Sequence, residues 1–415
     1  MKVLLVNKFH YKKGGAETYY FALAEALRAR GHEVIFFSMR DEKNLPCAQE
    51  KYFVSNVSVN GSFKSRIKMA MHIAYSKEAY RSMTRLLEDE RPDLVMLNNI
   101  HRQITLSVID AVKDFDPKLP IFWTVHDFAA ICPDYLMLDG NGKICEKCLD
   151  GNFGHCIENR CIKGSRLMGV LAKYEADYIR GRGLYDKVDL YICPSKFMLR
   201  KLQTAGFAKG RLVMLRNPLP LNTEYQLSDC SGGYVLYFGR LSREKGVKTL
   251  IDAVRKTGYR LEILGTGPIE DDLKNYVRRI NAENITFRGF QTGQALRDYV
   301  KGCRCVVLPS EWYENCPYNG MEAMALGKPL VVSSYGGLPE LVEEGKNGYI
   351  YDTAEDNPVE TLSACLKKIL MLPRDEYRNL EKYSLEKATE MFDPTSYASR
   401  IETLWAEQIK KLGQR

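Results

Sequence analysis

No apolar stretch in the 415 residues approaches the roughly 18 to 20 needed to cross a bilayer as a helix. The opening residues, MKVLLVNK, carry an apolar burst too short for a secretion signal and read as a first strand. Missing too is the Gly-x-Gly-x-x-Gly of a dinucleotide fold; the first strand runs instead into a loop ending Gly14-Gly15-Ala16-Glu17. No nucleic-acid module is recognisable, and a net charge of +8 with pI near 8.7 is too moderate to imply one. That charge suits phosphate-bearing ligands or an anionic surface. Cysteine is not scarce at 12, but ferredoxin spacing is absent. With no secretion signal the expected compartment is reducing and cytoplasmic, so free thiols or metal ligation are expected over disulfides.

What is present is the pattern of an α/β protein. Apolar runs at residues 3–6, 33–38, 94–97, 121–125 and 190–193 alternate with helical stretches, and the same alternation resumes at 234–238, 261–264, 305–308 and 330–332. The chain is too long for one core. A Pro-stiffened crossover, Arg216-Asn217-Pro218-Leu219-Pro220, divides it. The expected domains are 1–215, with a Cys-rich insertion at about 130–164, then 216–393, and a final helix over 394–415.

Candidate site residues fall where parallel strands end, the position at which open α/β sheets hold ligands. Paired glycines at 14 and 15 let backbone amides approach an anion at a helix start, unless they only make a tight turn. His101 follows the third strand and His126 the fourth. Arg240 and Lys245 stand at a strand end and a helix start, good places for a diphosphate. Glu314 lies in the loop after residues 305–308. The helix beyond it is bounded by Pro317, suited to the first turn, and by Gly327, and it carries Glu322 about a turn and a half in. Glu314 alone would be a helix-capping charge and Glu322 a solvated one.

Two further features stand apart. Residues 62–85 are basic, with Lys64, Arg66, Lys68, Lys77, Arg81 and Arg85 against Glu78. They make either a solvated helix face or an element that lies on an anionic membrane surface. Cys132, Cys145, Cys148, Cys156 and Cys161, with His155, form a cluster whose Cys145-Glu-Lys-Cys148 step has chelating spacing. A structural zinc site is expected there, with free thiols as the alternative.

In combination these motifs resemble glycosyltransferase family 4, over nearly the whole chain and most closely from Gly239 to Glu340. Glu314 and Glu322 match Glu-x7-Glu followed by Glu-Ala-x-Ala-x-Gly-x-Pro; Gly239 to Gly246 resembles the Gly-Arg-x4-Lys-Gly phosphate clamp. The Gly-Phe-Gly that often follows the first glutamate is missing; Trp312-Tyr313 precedes Glu314 instead, which leaves the donor open. The resemblance implies a GT-B fold: two Rossmann-like, doubly wound domains facing a cleft, with a C-terminal helix crossing back to the first. It implies a retaining transfer from a UDP- or GDP-sugar to a hydroxyl of a glycan or lipid-linked acceptor, with no metal needed for catalysis. His126 and Glu314 would then be catalytic. Gly15, Arg240, Lys245, Gly337, Leu338 and Glu322 would hold the donor, and His101 would bear on the acceptor. A sugar-nucleotide epimerase or a non-catalytic sugar-nucleotide binder on the same fold are the other readings.

Overall fold

The computed structural model describes residues 1–56, 74–227, 233–353 and 357–414. The chain divides into two compact units, Met1–Leu221 with Pro394–Arg415, and Asn222–Asp393.

The first unit is built on a parallel sheet of β1 (Lys2–Val6), β2 (Glu33–Phe37), β3 (Leu94–Leu97), β4 (Ile121–Thr124), β5 (Leu190–Cys193) and β6 (Leu212–Met214), in the order β2-β1-β3-β4-β5-β6. Its inner strands are unbroken apolar runs because helices cover both faces. Val3 to Val6 and Leu94 to Leu97 are fully buried. The strand order reverses between β1 and β3, the kind of switch point beside which open α/β sheets hold their ligands.

The expected boundary at 215/216 moves to 221/222. The Leu215 amide donates to Cys193 O at 3.0 Å, carrying the sheet pairing past β6, and Leu219 is fully buried. The helix Pro394–Gly413 returns to this unit after the whole of the second. Its Trp405 and Tyr397 are buried, the Tyr397 hydroxyl lies 2.6 Å from that of Tyr19, and Glu402 binds Arg30 at 2.6 Å and His32 at 2.8 Å.

The second unit has a parallel sheet of β7 (Val235–Phe238), β8 (Leu261–Leu264), β9 (Ile285–Gly289), β10 (Cys305–Leu308), β11 (Leu330–Ser333) and β12 (Gly348–Tyr351), in the order β12-β11-β10-β7-β8-β9. Counted from its own first strand, that is the doubly wound dinucleotide-fold order, with its switch point between β7 and β10.

The helix after β10 runs Tyr318–Ala325. Pro317 sits at its N-cap with extended backbone rather than in the first turn as expected. Its far end is pinned by a buried ion pair. Lys328, wholly inaccessible, meets Glu381 of the helix Arg374–Phe392 at 3.2 Å, and Arg378 meets the other carboxylate oxygen at 2.8 Å. An unpaired charge at such depth would cost several kcal/mol, so the pair fixes one helix against the other.

Of the basic stretch, Lys64, Arg66 and Lys68 lie outside the described residues; Lys77, Arg81 and Arg85 are on the helix Lys77–Glu90, which Ser76 caps. No helix among the described residues is long and apolar enough to cross a membrane.

Candidate functional site

Glu314 and Lys245, 69 positions apart, meet at the switch point of the second unit. Lys245 ends the loop after β7 and Glu314 lies in the loop after β10; Lys245 Nζ donates to Glu314 Oε1 at 2.5 Å. Ser310 Oγ donates to the same oxygen at 2.8 Å. Burial pushes the Glu314 carboxyl up, but Lys245 and these hydrogen bonds outweigh it and hold the group below the ordinary carboxylate value. It is therefore an anion at neutral pH. Lys245 also lies 5.1 Å from the centre of the Trp312 ring.

Two glycines make this approach possible. Gly246 has φ of 65° and lies so close to the loop after β10 that a Cβ would fall 1.9 Å from Pro309 O. Any other residue would push the two loops apart. Gly336 has φ of 68°, and its Cβ would fall 2.3 Å from Glu314 O. The next amide, Gly337 N–H, donates to that carbonyl at 2.7 Å. The Gly337-Leu338 turn, both residues buried, thus holds the Glu314 backbone. Arg240, in the loop after β7, is exposed, and Tyr237 Oη donates to its carbonyl at 2.8 Å. Glu322 lies on the helix Tyr318–Ala325, half-buried, and burial raises its carboxyl to about 7.

In the first unit the loops after β1 and β3 are tied across the switch point. Lys8 N donates to Asn99 O at 2.9 Å, and Asn99 N to Asn7 Oδ1 at 3.2 Å. Gly15 is the exposed first residue of the helix Gly15–Ala29, whose buried Glu17 accepts from Asn7 Nδ2 at 3.1 Å. His126, just past β4, pairs through Nε2 with Asn98 Oδ1 at 2.9 Å and packs against the edge of the Tyr19 ring at 4.7 Å. Burial lowers its pKa to about 3. His101 is likewise lowered to about 3, by burial first and then by Arg102 and Lys8; its Nε2 pairs with Tyr185 Oη at 3.1 Å. Both rings are neutral at pH 7.

The five cysteines of the insertion, Cys132, Cys145, Cys148, Cys156 and Cys161, all line one cavity of about 10 Å³, room for about one water-sized sphere. Yet among the described residues no group of three or more histidine, cysteine, aspartate or glutamate side chains is placed to hold a metal ion. As placed, the thiols do not fit a single zinc. Burial pushes Cys132 and Cys161 up to about 12, so they are protonated and pack as small apolar groups. His155 faces outward to Asp150 and Glu158, each at 3.4 Å.

Sequence reasoning missed Ser310 and Asn98, the side chains that orient Glu314 and His126. Each adjoins a residue already singled out: Ser310 lies four positions before Glu314, and Asn98 directly follows the apolar run 94–97, three positions before His101.

Comparison with known proteins agrees with this geometry. The model of a family described as Glycosyltransferase Family 4 matches residues 13–223, and one described as Glycosyl transferases group 1 matches residues 227–387. An uncharacterized glycosyltransferase of Methanocaldococcus jannaschii is 28% identical over 188 residues, 45% of this chain and 50% of that protein. The amylovoran biosynthesis glycosyltransferase AmsK of Erwinia amylovora is 26% identical over 214 residues, 48% of this chain and 51% of that protein. The chain thus spans about half the length of these relatives. Among solved structures, HepE of Anabaena in complex with UDP has a TM-score of 0.67 at 19% identity, covering 98% of this chain and 100% of that one.

Proposed function

The chain belongs to glycosyltransferase family 4 and has the two-unit GT-B fold, and from that premise we propose that it moves a sugar from a nucleoside diphosphate to an acceptor hydroxyl with retention of anomeric configuration. The observation that carries the reading is the Lys245–Glu314–Ser310 cluster at the switch point of the second unit. As the anomeric bond breaks, negative charge builds on the departing diphosphate and positive charge on the sugar ring. Lys245 and Arg240 stabilise the first. At an effective dielectric near 20, a unit charge at 4 Å contributes about 4 kcal/mol, so the two cations supply charge that a divalent ion would otherwise bring.

Glu314 pairs with Lys245. A diphosphate competes for that ammonium, and the carboxylate, still held by Ser310, turns its remaining lone pairs to the sugar hydroxyls. Glu322 takes the ribose, as the resemblance implies. His126 contacts the sugar near the reacting carbon, and the departing phosphate helps remove the acceptor proton. The acceptor is a glycan or lipid-linked intermediate, in keeping with relatives such as the amylovoran enzyme, whose name places it in polysaccharide biosynthesis.

The test is a panel of UDP- and GDP-hexoses, scored for release of nucleoside diphosphate with and without simple glycoside acceptors. One donor is expected to be cleaved by the wild type and spared by Lys245→Ala and Glu314→Gln. Near-normal turnover in either variant overturns the role given to that residue. Sugar epimerised from donor alone would make the protein an isomerase instead.

A further inference from the structure

Asn98 fixes a chemical detail of the first unit that the family likeness does not carry. Its backbone N–H donates to Val6 O at 2.9 Å, and its side-chain Nδ2 reaches the same carbonyl at 3.3 Å. A carbonyl only accepts, so the nitrogen end of the amide has to face Val6 and the oxygen end has to face His126. That oxygen lies 2.9 Å from His126 Nε2. An amide oxygen has no proton to give, so the proton of this bond sits on Nε2.

The other ring nitrogen then carries a lone pair. Nδ1 makes no hydrogen bond among the described residues, and it is not among the buried polar atoms left unpartnered, so it is open to a ligand. The nearest hydroxyl-bearing ring does not claim it, since Tyr19 Oη is engaged by Thr124 Oγ1 at 2.8 Å and Tyr397 Oη at 2.6 Å. Tyr19 instead presents its ring to the imidazole at an interplanar angle of 63°, which limits rotation.

We infer that Asn98 is a positioning residue that holds His126 as the neutral Nε2–H tautomer, so that Nδ1 can only accept a hydrogen bond and selects a sugar hydroxyl over an anionic phosphate or carboxylate oxygen. The selection rests on the proposed reading of His126 as a sugar contact; the tautomer does not. The pKa lowered by burial supports a ring that stays neutral at working pH.

The experiment reads the two parts separately. The full chain, labelled with ¹⁵N in its histidine rings and free of nucleotide, is examined by NMR at pH 7, with His126→Gln to assign the signal. The expected result is a protonated Nε2 and a bare Nδ1. A proton on Nδ1, or on both nitrogens, overturns the inference outright. Asn98→Asp puts a carboxylate against Nε2 and is expected to charge the ring, with protons on both nitrogens, whereas Asn98→Leu is expected to give a tautomer mixture. Should the leucine variant fail to fold, the wild-type and aspartate spectra still decide. On the donor found by the panel, Asn98→Leu is expected to lose up to about tenfold in turnover, the worth of one oriented hydrogen bond, and Asn98→Asp, whose charged ring has no lone pair at Nδ1, is expected to lose at least as much. An unchanged tautomer in Asn98→Leu refutes the positioning role. The expected spectrum in a chain that cleaves no donor would leave the tautomer standing and refute the functional reading alone.

Discussion

In the second unit the carboxylate beside the strand-order reversal is ionised, while in the first the histidines near the corresponding strand ends are neutral. Depth does not explain the contrast. Glu314 is buried, yet Lys245 at 2.5 Å and Ser310 at 2.8 Å carry it below the usual carboxylate range. His126 and His101 are partnered only by an amide and a phenol, and burial takes both to about 3. Glu175 shows where the balance tips. Arg102 stands 3.5 Å from it, and burial still wins, raising the carboxyl to about 7. The 2.5 Å Lys245 contact, joined by the Ser310 donor, reverses desolvation; the 3.5 Å Arg102 contact does not. The first unit thus presents neutral imidazoles near its strand ends, and the second a fixed ion pair.

The sharpest way to break this contrast is to remove the pair. Lys245→Ala or Glu314→Gln is expected to reduce transfer by about 10² to 10³-fold, the range for losing one preorganised electrostatic group, with circular dichroism unchanged. In Lys245→Ala the Glu314 carboxyl should titrate higher than in the wild type, because desolvation is then opposed by the Ser310 hydrogen bond without the help of the ammonium; ¹³C NMR of labelled glutamate reads this.

A second perturbation reaches the support of the helix carrying Glu322. Lys328→Met leaves Glu381 buried with only Arg378 beside it, and breaking such a pair costs about 3–5 kcal/mol. Denaturant unfolding should show that loss; a change under about 1 kcal/mol would mean that Arg378 compensates fully.

Glu322 itself sharpens the comparison, being a half-buried carboxyl that no charge meets among the described residues. Its folded-state pKa of about 7 lies above the ordinary 4.5, so the folded chain binds this proton more tightly than the unfolded one. The stability from that proton is full below pH 4.5 and is lost as pH rises toward 7. Glu322→Gln should therefore gain on the wild type between pH 5 and pH 8, by about 3 kcal/mol at most. Equal melting shifts at both pH values would show that solvent reaches the carboxylate. The smallest effect belongs to Tyr397→Phe, expected to cost about 1 kcal/mol or less, because Thr124 still holds the Tyr19 hydroxyl.

Much of the fold was legible, because parallel strands covered on both faces leave unbroken apolar runs such as residues 94–97 and 305–308 that need no long-range information. The candidate site was legible only in part. Nothing local says that Lys245 meets Glu314; the motif resemblance brought them together, and Gly246 and Gly336 show why the loops can touch. The Asn98–His126 bond joins two loops 28 positions apart and leaves no periodic trace. For the cysteines, sequence clustering foretold their gathering around one cavity, but spacing carries no information on the angles and separations an ion requires.

The return of residues 394–413 to the first unit has a bearing on biosynthesis. A nascent chain that has released residues 1–221 must wait for all of residues 222–393 before Trp405 and Tyr397 can cover it. At about 5 to 20 residues per second, that delay is roughly ten to forty seconds. The contiguous second unit can mature during translation, while the earlier-made half lacks its covering helix until the end of synthesis.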